Sequence, residues 1–259
     1  MNINSSLFHE NFQIVRADTP ELVDAAHQLR YQVYCEEKGY EDPSRFPDRR
    51  EFDDYDSRAI HSLIRHRSSD MYIGVVRLVL PKDKGAADQP LPIEEHCGLQ
   101  LDQSHPHLAE LPRHSIGEIS RFSVSKVFRR RVAEEGLIWG VCREGESYNA
   151  DFHPQFNRRH LPMISLALIA ACFRMCEEYR VDHLYAAMES TLLRLLRGVG
   201  VDFQPLGMPV EYHGMRVPAY YPIAEMRAKV LRTQAALREI YEGPEMPVYG
   251  YQPRRLVAS

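Results

Sequence analysis

Residues 116–125, with the sequence IGEISRFSVS, decide the fold class of this chain. They predict a strand over Ile116 to Ser125, and strict alternation puts five residues on one face: Ile116, Glu118, Ser120, Phe122 and Val124. Glu118 and Arg121 are unusual in such a strand, because charges on a partly buried face persist only when they are paired or used. Alternation places these two residues on opposite faces, so a shared site requires a β-bulge between them.

Strand and helix patterns alternate on both sides of this strand. The stretch Lys82 to His114 lacks lasting periodicity and predicts a long surface loop. Strands are expected at Phe12 to Arg16, Ile60 to His66, Tyr72 to Leu80, Val181 to Met188 and Tyr212 to Tyr221. Helices are expected from Asp18-Thr19-Pro20-Glu21 to about Cys35, and at Ile164 to Tyr179, Ser190 to Arg197 and Pro222 to Tyr241. The order predicts an α/β fold.

Composition narrows the class of protein. The 259 residues carry 32 Lys+Arg and 36 Asp+Glu, a net charge of −4 that argues against a nucleic-acid partner. The longest apolar run, Leu161 to Phe173, is too short to predict a transmembrane segment, and the N-terminus lacks a secretory pattern. The five cysteines, an odd number, lack the spaced pairs of a disulfide framework, which favours a reducing compartment. We therefore expect one domain in a soluble, cytoplasmic protein.

Common motifs for other chemistries are missing. The sequence has no phosphate-binding glycine loop, zinc-protease motif, GxSxG or paired CxxC. Cys172 and Cys176, four residues apart in an apolar helix, are interpreted as core residues. The histidines of residues 96–114 follow no ligand spacing, so no metal site is predicted.

An acidic run, EFDDYD at residues 51–56, is the other notable feature. Its residues Glu51, Asp53 and Asp56 are preceded by Arg30 and followed by Arg77 and then by the Glu118–Arg121 pair. Such a run is usually a solvated loop, and each charge alone is ordinary.

As a set, however, these residues resemble the N-acyltransferases of the acyl-homoserine-lactone synthase type, which have the GNAT fold. The set comprises Arg30, Tyr34, Glu51-x-Asp53-x-Tyr55-Asp56, Gly74-x-x-Arg77 and Glu118-x-x-Arg121-Phe122. The subgroup that the chain resembles most is associated with the PEP-CTERM/exosortase system. The resemblance covers a core of about residues 12–221, with residues 222–259 as a C-terminal helix and tail.

The resemblance implies a GNAT-like twisted mixed sheet that is splayed between its fourth and fifth strands, with helices on both faces. A thioester-linked acyl group would lie in that gap. An acyl tail needs an apolar slot, and residues from the expected lining elements supply one. These residues, which also suit core packing, are Phe122, Val124, Leu166, Ile169, Phe173, Leu184 and Met188.

Donor docking is expected after the fourth strand, at Lys126, Arg129, Arg130 and Arg131. The usual glycine-rich turn of the fold is missing there, which favours an acidic acyl carrier protein over coenzyme A. The chain is expected to hold no permanent cofactor and to use acyl carrier protein thioester or acyl-coenzyme A as co-substrate.

The predicted reaction is transfer of a fatty acyl group to a primary amine, and the expected acceptor is an amino acid or a similar small molecule. Glu118 is expected to be the base, because burial raises a carboxyl pKa, and Arg121 is expected to orient that carboxylate or the acceptor. Arg30, Tyr34, Glu51, Asp53, Asp56 and Arg77 are expected to bind the acceptor or to organise the site. Arg45, Arg49 and Arg50 suit an acceptor carboxylate.

Three alternatives stay open. The chain could be a true acyl-homoserine-lactone synthase that uses S-adenosylmethionine, although Lys38-Gly39-Tyr40 stands where those enzymes have a Trp. It could be a non-catalytic acyl-ligand-binding protein. It could also be an interaction module whose acidic loop and arginines serve a protein partner.

Overall fold

Eight strands form the framework of this computed structural model, which describes residues 5–81, 90–98, 105–126, 160–198 and 200–243. The strands are β1 (Phe12–Ala17), β2 (Ala59–His66), β3 (Met71–Val79), β4 (Ile116–Val124), β5 (His183–Met188), β6 (Gln204–Pro205), β7 (Val210–Glu211) and β8 (Met215–Pro222). They form a mixed sheet in the order β1-β2-β3-β4-β5-β8-β6, and β7 pairs with β8. Only the β4–β5 pairing is parallel among these strands.

Helices cover both faces of the sheet. They are α1 (Ser5–Asn11), α2 (Pro20–Tyr31), α3 (Pro92–His96), α4 (Pro106–Ala109), α5 (His160–Glu178), α6 (Ser190–Gly198), α7 (Ile223–Thr233) and α8 (Ala235–Glu242). A π-helical turn, Gln32–Glu37, extends α2, and short 3₁₀ turns occur at Pro43–Arg45, Asp54–Arg58 and Arg113–Ser115. Among the described residues, no helix combines the length and apolarity that a bilayer crossing requires.

The elements follow the sequence patterns with a few differences. Helix α2 begins as predicted, because the Thr19 side chain accepts a hydrogen bond from the Leu22 N–H (3.3 Å) and Pro20 occupies the first turn. The expected loop at Lys82 to His114 contains the short helices α3 and α4, and α1 was not predicted. The expected last helix is divided, since Gln234 leaves helical geometry (φ −115°, ψ 88°) between α7 and α8.

The two sheet faces differ in chemistry. Helix α5 packs against β2, β3 and β4 on one face, and its apolar side chains form the largest core cluster. The other face carries two smaller apolar clusters, one under α2 with Leu63 and Val75, and one with Val79, Ile116 and Tyr185. Buried polar side chains, including His61 of β2 and Arg77 of β3, lie between these two clusters along the strands.

Strands β4 and β5 meet at one end and then separate. They pair only through Ile116–His183, Gly117–Leu184 and Glu118–Tyr185, although β4 continues to Val124 and β5 to Met188. Gly117 leaves room for the side chains of Leu78 and Val181 beside this pairing, because a Cβ atom there would lie 2.9 Å from Leu78 Cδ1 and 3.1 Å from Val181 Cγ1. The predicted splay between the fourth and fifth strands is therefore present, and Glu118 lies where it begins.

Candidate active site

A β-bulge brings the charges of β4 to one sheet face. The register with β3 shifts between Val75 and Arg77, opposite Arg121, and Arg121 has a left-handed backbone (φ 53°). Arg121 therefore points to the same face as Glu118 and Ser120, as the shared site requires. The expectation that Phe122 and Val124 share that face is wrong, because the bulge turns both toward the α5 core.

Three guanidinium groups and three carboxylates form a buried ion network on this face. Arg30 donates from Nε to Glu51 (2.6 Å) and bidentately to Asp56 (2.6 and 2.9 Å). Arg77 donates from Nη1 to Asp53 (2.6 Å) and from Nε to Ser120 (2.9 Å). Arg121 donates from Nη2 to Glu51 (2.8 Å) and to Asp53 (3.3 Å). The sequence prediction that these residues act as a set is consistent with this geometry.

Secondary structure positions each member of the network. Arg30 lies in the last turn of α2, and Asp53 and Asp56 form a reciprocal capping box on the Asp54–Arg58 turn. His61, Arg77 and Ser120 are register partners across β2, β3 and β4. His61 was not predicted, although its place on β2, three residues after the acidic turn ends at Arg58, could have indicated it.

The network fixes its charges. Burial raises the pKa of Glu51 and of Asp56, but the neighbouring guanidinium groups outweigh it and hold both well below their usual range. Burial lowers the pKa of His61 to about 4, so its ring is neutral near pH 7. Removing any one charged partner would leave an unpaired buried charge, which makes the network interdependent.

Glu118 is the exception to this pairing. It is 1% exposed, and it accepts a hydrogen bond from the Ile93 N–H at the start of α3 (2.8 Å). No cation within the described ranges forms an ion pair with it. Burial raises the pKa of Glu118 to about 8, against smaller opposing effects of the Ile93 N–H, Arg77 and Arg121. The group can therefore exchange a proton near neutral pH.

Arg121 does not form the ion pair with Glu118 that would let it orient that carboxylate. It pairs with Glu51 and Asp53 instead, and its guanidinium carbon lies 4.9 Å from the centroid of the Tyr34 ring. Tyr34 is buried beneath this guanidinium group. The centroid of its ring lies 6.2 Å from that of Tyr40, which follows the π-helical turn. Arg121 and Tyr34 thus form one wall of the site.

The loop arginines already have partners. Arg45 pairs with Glu41 (3.0 Å), Arg49 with Glu36, and Arg50 with Asp24. All three side chains are exposed, so their expected use for an acceptor carboxylate gains no support from their positions.

The expected acyl-pocket residues lie together in the α5-side core. Phe122 and Val124 come from β4, Leu184 and Met188 from β5, and Leu166, Ile169 and Phe173 from α5. Their use as an acyl pocket stays a prediction.

Lys126, at the end of β4, is engaged with the π-helical turn. Its N–H donates to the Glu37 carboxylate (2.6 Å) and its Nζ to the Glu37 carbonyl (2.5 Å). Ser125 and Gln32 also donate to that carboxylate, at 2.9 Å each. The predicted docking residues Arg129, Arg130 and Arg131 lie outside the described residues.

One group of side chains has metal-ligand character, namely His27, Asp56 and His61. However, Asp56 Oδ1 already lies 2.6 Å from Arg30 Nη1 and 3.2 Å from Arg77 Nη1. A divalent cation would have to displace these guanidinium groups or lie against them, so the donor set does not suit a metal.

Comparisons with known proteins agree with this architecture. Residues 29–139 match the family model described as an acetyltransferase (GNAT) domain. A sequence search of curated proteins finds no match to the chain.

Several solved structures have the same fold. TofI, in a ternary complex with an inhibitor and MTA, is 21% identical, with 88% of this chain and 96% of that chain covered and a TM-score of 0.52. BjaI, a CoA-dependent acyl-homoserine lactone synthase with SAM and isopentyl-CoA, is 20% identical, with 90% of both chains covered and a TM-score of 0.53. FeeM, an N-acyl amino acid synthase from uncultured soil microbes, is 15% identical, with 86% and 96% covered and a TM-score of 0.55.

The predicted GNAT-like fold is therefore confirmed, and the domain match confirms the predicted enzyme class, an acyltransferase.

Proposed function

We propose that the protein is an N-acyltransferase that moves a fatty acyl group from a thioester to the primary amine of a small acceptor. One observation carries the proposal: Glu118 is a buried carboxyl with no cationic partner in the described part of the chain, at the point where β4 and β5 separate. A structural carboxylate would be paired, as Glu51 and Asp56 are. An unpaired one with a pKa of about 8 suits proton transfer.

In the proposed step, the amine nitrogen attacks the thioester carbonyl carbon. The C–N bond forms, the amine gives a proton to Glu118 directly or through one water, and the C–S bond breaks to release the thiol. Backbone N–H groups along the separated strand are proposed to stabilise the oxyanion. The proton held by Glu118 can then pass to the leaving thiolate.

We propose that each sheet face binds a different substrate. The acyl tail lies with the α5-side residues Phe122, Val124, Leu166, Ile169, Phe173, Leu184 and Met188. The acceptor lies on the opposite face, beside Arg77, Arg121 and Tyr34. The side-chain hydrogen bonds of Arg30 go to Glu51, Asp56 and His61, and those of Glu51 come from Arg30 and Arg121, which supports a site-organising role for both.

Release of free thiol tests the proposal. Purified protein is incubated with acyl carrier protein thioester or acyl-coenzyme A, with and without candidate amines, and thiol is followed with a thiol-reactive chromophore. Amine-dependent release, with an N-acyl product of the expected mass, is the expected result. No release with any amine would favour the non-catalytic acyl-binding protein or the interaction module.

An acyl-homoserine-lactone synthase remains the second candidate, because BjaI, which is described as such a synthase, has this fold. The aromatic faces that would hold a sulfonium argue against it. Lys38 Nζ lies 5.7 Å from the Tyr34 ring centroid and 5.1 Å from that of Tyr40, and the guanidinium carbon of Arg216 lies 5.3 Å from the latter. The protein's own cations thus occupy these rings.

Acyl carrier protein as the donor, docking through Lys126 and Arg129–Arg131, remains a prediction. So do the cytoplasmic location, the single domain of residues 1–259 and the association with a PEP-CTERM/exosortase system. A neighbouring exosortase gene would support the last of these.

A further inference from the structure

The tip of the β7–β8 hairpin lies across the buried ion network. The Tyr212 ring stacks on His96, at the end of α3, with centroids 4.8 Å apart and an interplanar angle of 19°. The next residue, His213, places Nδ1 3.4 Å from Glu41 Oε1, which in turn lies 3.7 Å from Arg121 Nη2. Two consecutive residues therefore contact α3 on one side of the network and Glu41, a neighbour of Arg121, on the other.

The Tyr212 phenol faces the charged groups beneath the hairpin. The charges of Arg121, Glu118, Arg77 and Asp53 all act on it, and burial raises its pKa to about 12. The hydroxyl is therefore protonated at any working pH and can donate a hydrogen bond. It makes none to the residues that the structure describes, although groups of both signs surround it.

Arg77, whose charge acts on the Tyr212 phenol, offers a second donor within the network. Its side chain is fully buried, and its Nη2 has no hydrogen-bond partner in the described part of the chain. Arg30, by contrast, uses Nε, Nη1 and Nη2 within the network. A buried guanidinium nitrogen without a partner costs free energy, and the cost is removed when a ligand supplies the acceptor atom.

We propose that Tyr212 and Arg77 bind the carboxylate of the acceptor, which is therefore an amino acid with its amine beside Glu118. This inference rests on the proposed function and specifies its acceptor. Two donors, one neutral and one cationic, match the two oxygens of a carboxylate. The hairpin that carries Tyr212 then acts as the wall that closes over the acceptor.

The charge balance of the site supports a zwitterion. Within the network Arg30, Arg77 and Arg121 offset Glu51, Asp53 and Asp56, and Glu41 lies 3.7 Å from Arg121. A simple ammonium ion would bring a positive charge near Arg77 and Arg121 without supplying an acceptor atom for Arg77 Nη2, which has no partner in the described part of the chain. An amino acid brings its own carboxylate, which pairs with Arg77 and leaves the balance unchanged.

Calorimetric binding tests the inference without relying on turnover. The full chain is titrated with L-leucine and L-phenylalanine and with their decarboxylated counterparts, isopentylamine and phenethylamine, in the absence and presence of coenzyme A. We expect at least one amino acid to bind more tightly than its amine. Tyr212→Phe should weaken that binding about 10- to 100-fold, the effect of losing one hydrogen bond to a charged group.

Tyr221→Phe is the matched control, because Tyr221 lies on β8 but on the α5-side face, and it should bind like the wild type. Equal binding of amines and amino acids, no binding of either, or unchanged binding by Tyr212→Phe would each overturn the inference. Amino-acid binding without thiol release would instead uphold it while overturning the proposed enzyme function. Thiol release with simple amines but not with amino acids would uphold the proposed enzyme function and overturn this inference.

Discussion

Glu118→Gln should remove proton transfer at a buried position while keeping the side chain's shape and its hydrogen bond. The amide can still accept the hydrogen bond from the Ile93 N–H, but it cannot take a proton. The fold should therefore be kept, while amide formation slows by a factor on the order of 10² to 10⁴. The wild-type rate should rise with pH and level off above about pH 8, where Glu118 becomes ionised.

The same substitution has a predictable effect on stability. Because the pKa of Glu118 rises from 4.5 to about 8 on folding, the native state binds the proton more tightly than the unfolded state. Below pH 4.5, the contribution of Glu118 to wild-type stability should not change with pH. Between pH 4.5 and about pH 8, wild-type stability should decrease as pH rises. The slope is about 1.4 kcal/mol per pH unit, reaching about 5 kcal/mol in total.

Urea unfolding of both proteins between pH 5 and pH 8 measures this effect. As pH rises, the free energy of unfolding of Glu118→Gln should increase relative to that of the wild type. Glu225→Gln, at an exposed carboxylate on α7, controls for the loss of one negative charge. A difference between Glu118→Gln and the wild type that stays constant with pH would refute the claim that Glu118 is buried and unpaired. Full activity of the variant would remove Glu118 from the mechanism.

Four further outcomes are expected. Arg30→Ala should lower the free energy of unfolding by about 3–5 kcal/mol, because it leaves Glu51 and Asp56 buried without a main partner; a loss below 1 kcal/mol by urea unfolding would contradict this. Tyr185→Phe should raise the free energy of unfolding by about 1 kcal/mol, since the lost hydroxyl is buried and has no partner among the described residues. A lower melting temperature of the variant in thermal unfolding would contradict this. Charge reversal at Arg129–Arg131 should raise KM for acyl carrier protein but not for small acyl-thioesters, and binding should weaken with salt; equal use of acyl-coenzyme A without a salt effect would count against this. Incubation with S-adenosylmethionine and an acyl donor should yield neither methylthioadenosine nor an acyl lactone, and mass spectrometry that finds both would reverse the choice of acceptor.

Local pattern was sufficient for much of the fold. The period-2 pattern at Ile116 to Ser125 and the capping residues at Thr19 and Pro20 specify their elements because the determining contacts are close in sequence. Even the bulge at Arg121 could be inferred, since two charges of one site cannot both follow strict alternation. Its effect on Phe122 and Val124 was missed, because a bulge reverses the facing of every residue after it.

The site was less predictable where tertiary contacts decide it. Tyr212 and His96 are far apart in sequence, and only the β7–β8 hairpin brings their rings together. Arg121 was expected beside Glu118, but the 3₁₀ turn that carries Asp53 places carboxylates closer to it. Spacing within one strand cannot reveal such competition between partners from different segments.

The early separation of β4 from β5 leaves the sheet with two interior edges. Beyond Glu118 and Tyr185, each strand keeps its antiparallel neighbour on one side, and no strand from the described residues pairs with it on the other. Backbone groups along these edges must find partners among side chains, water or a substrate. An elongated substrate in the gap could therefore act as a missing strand, and its arrival should slow amide hydrogen exchange along both edges at once.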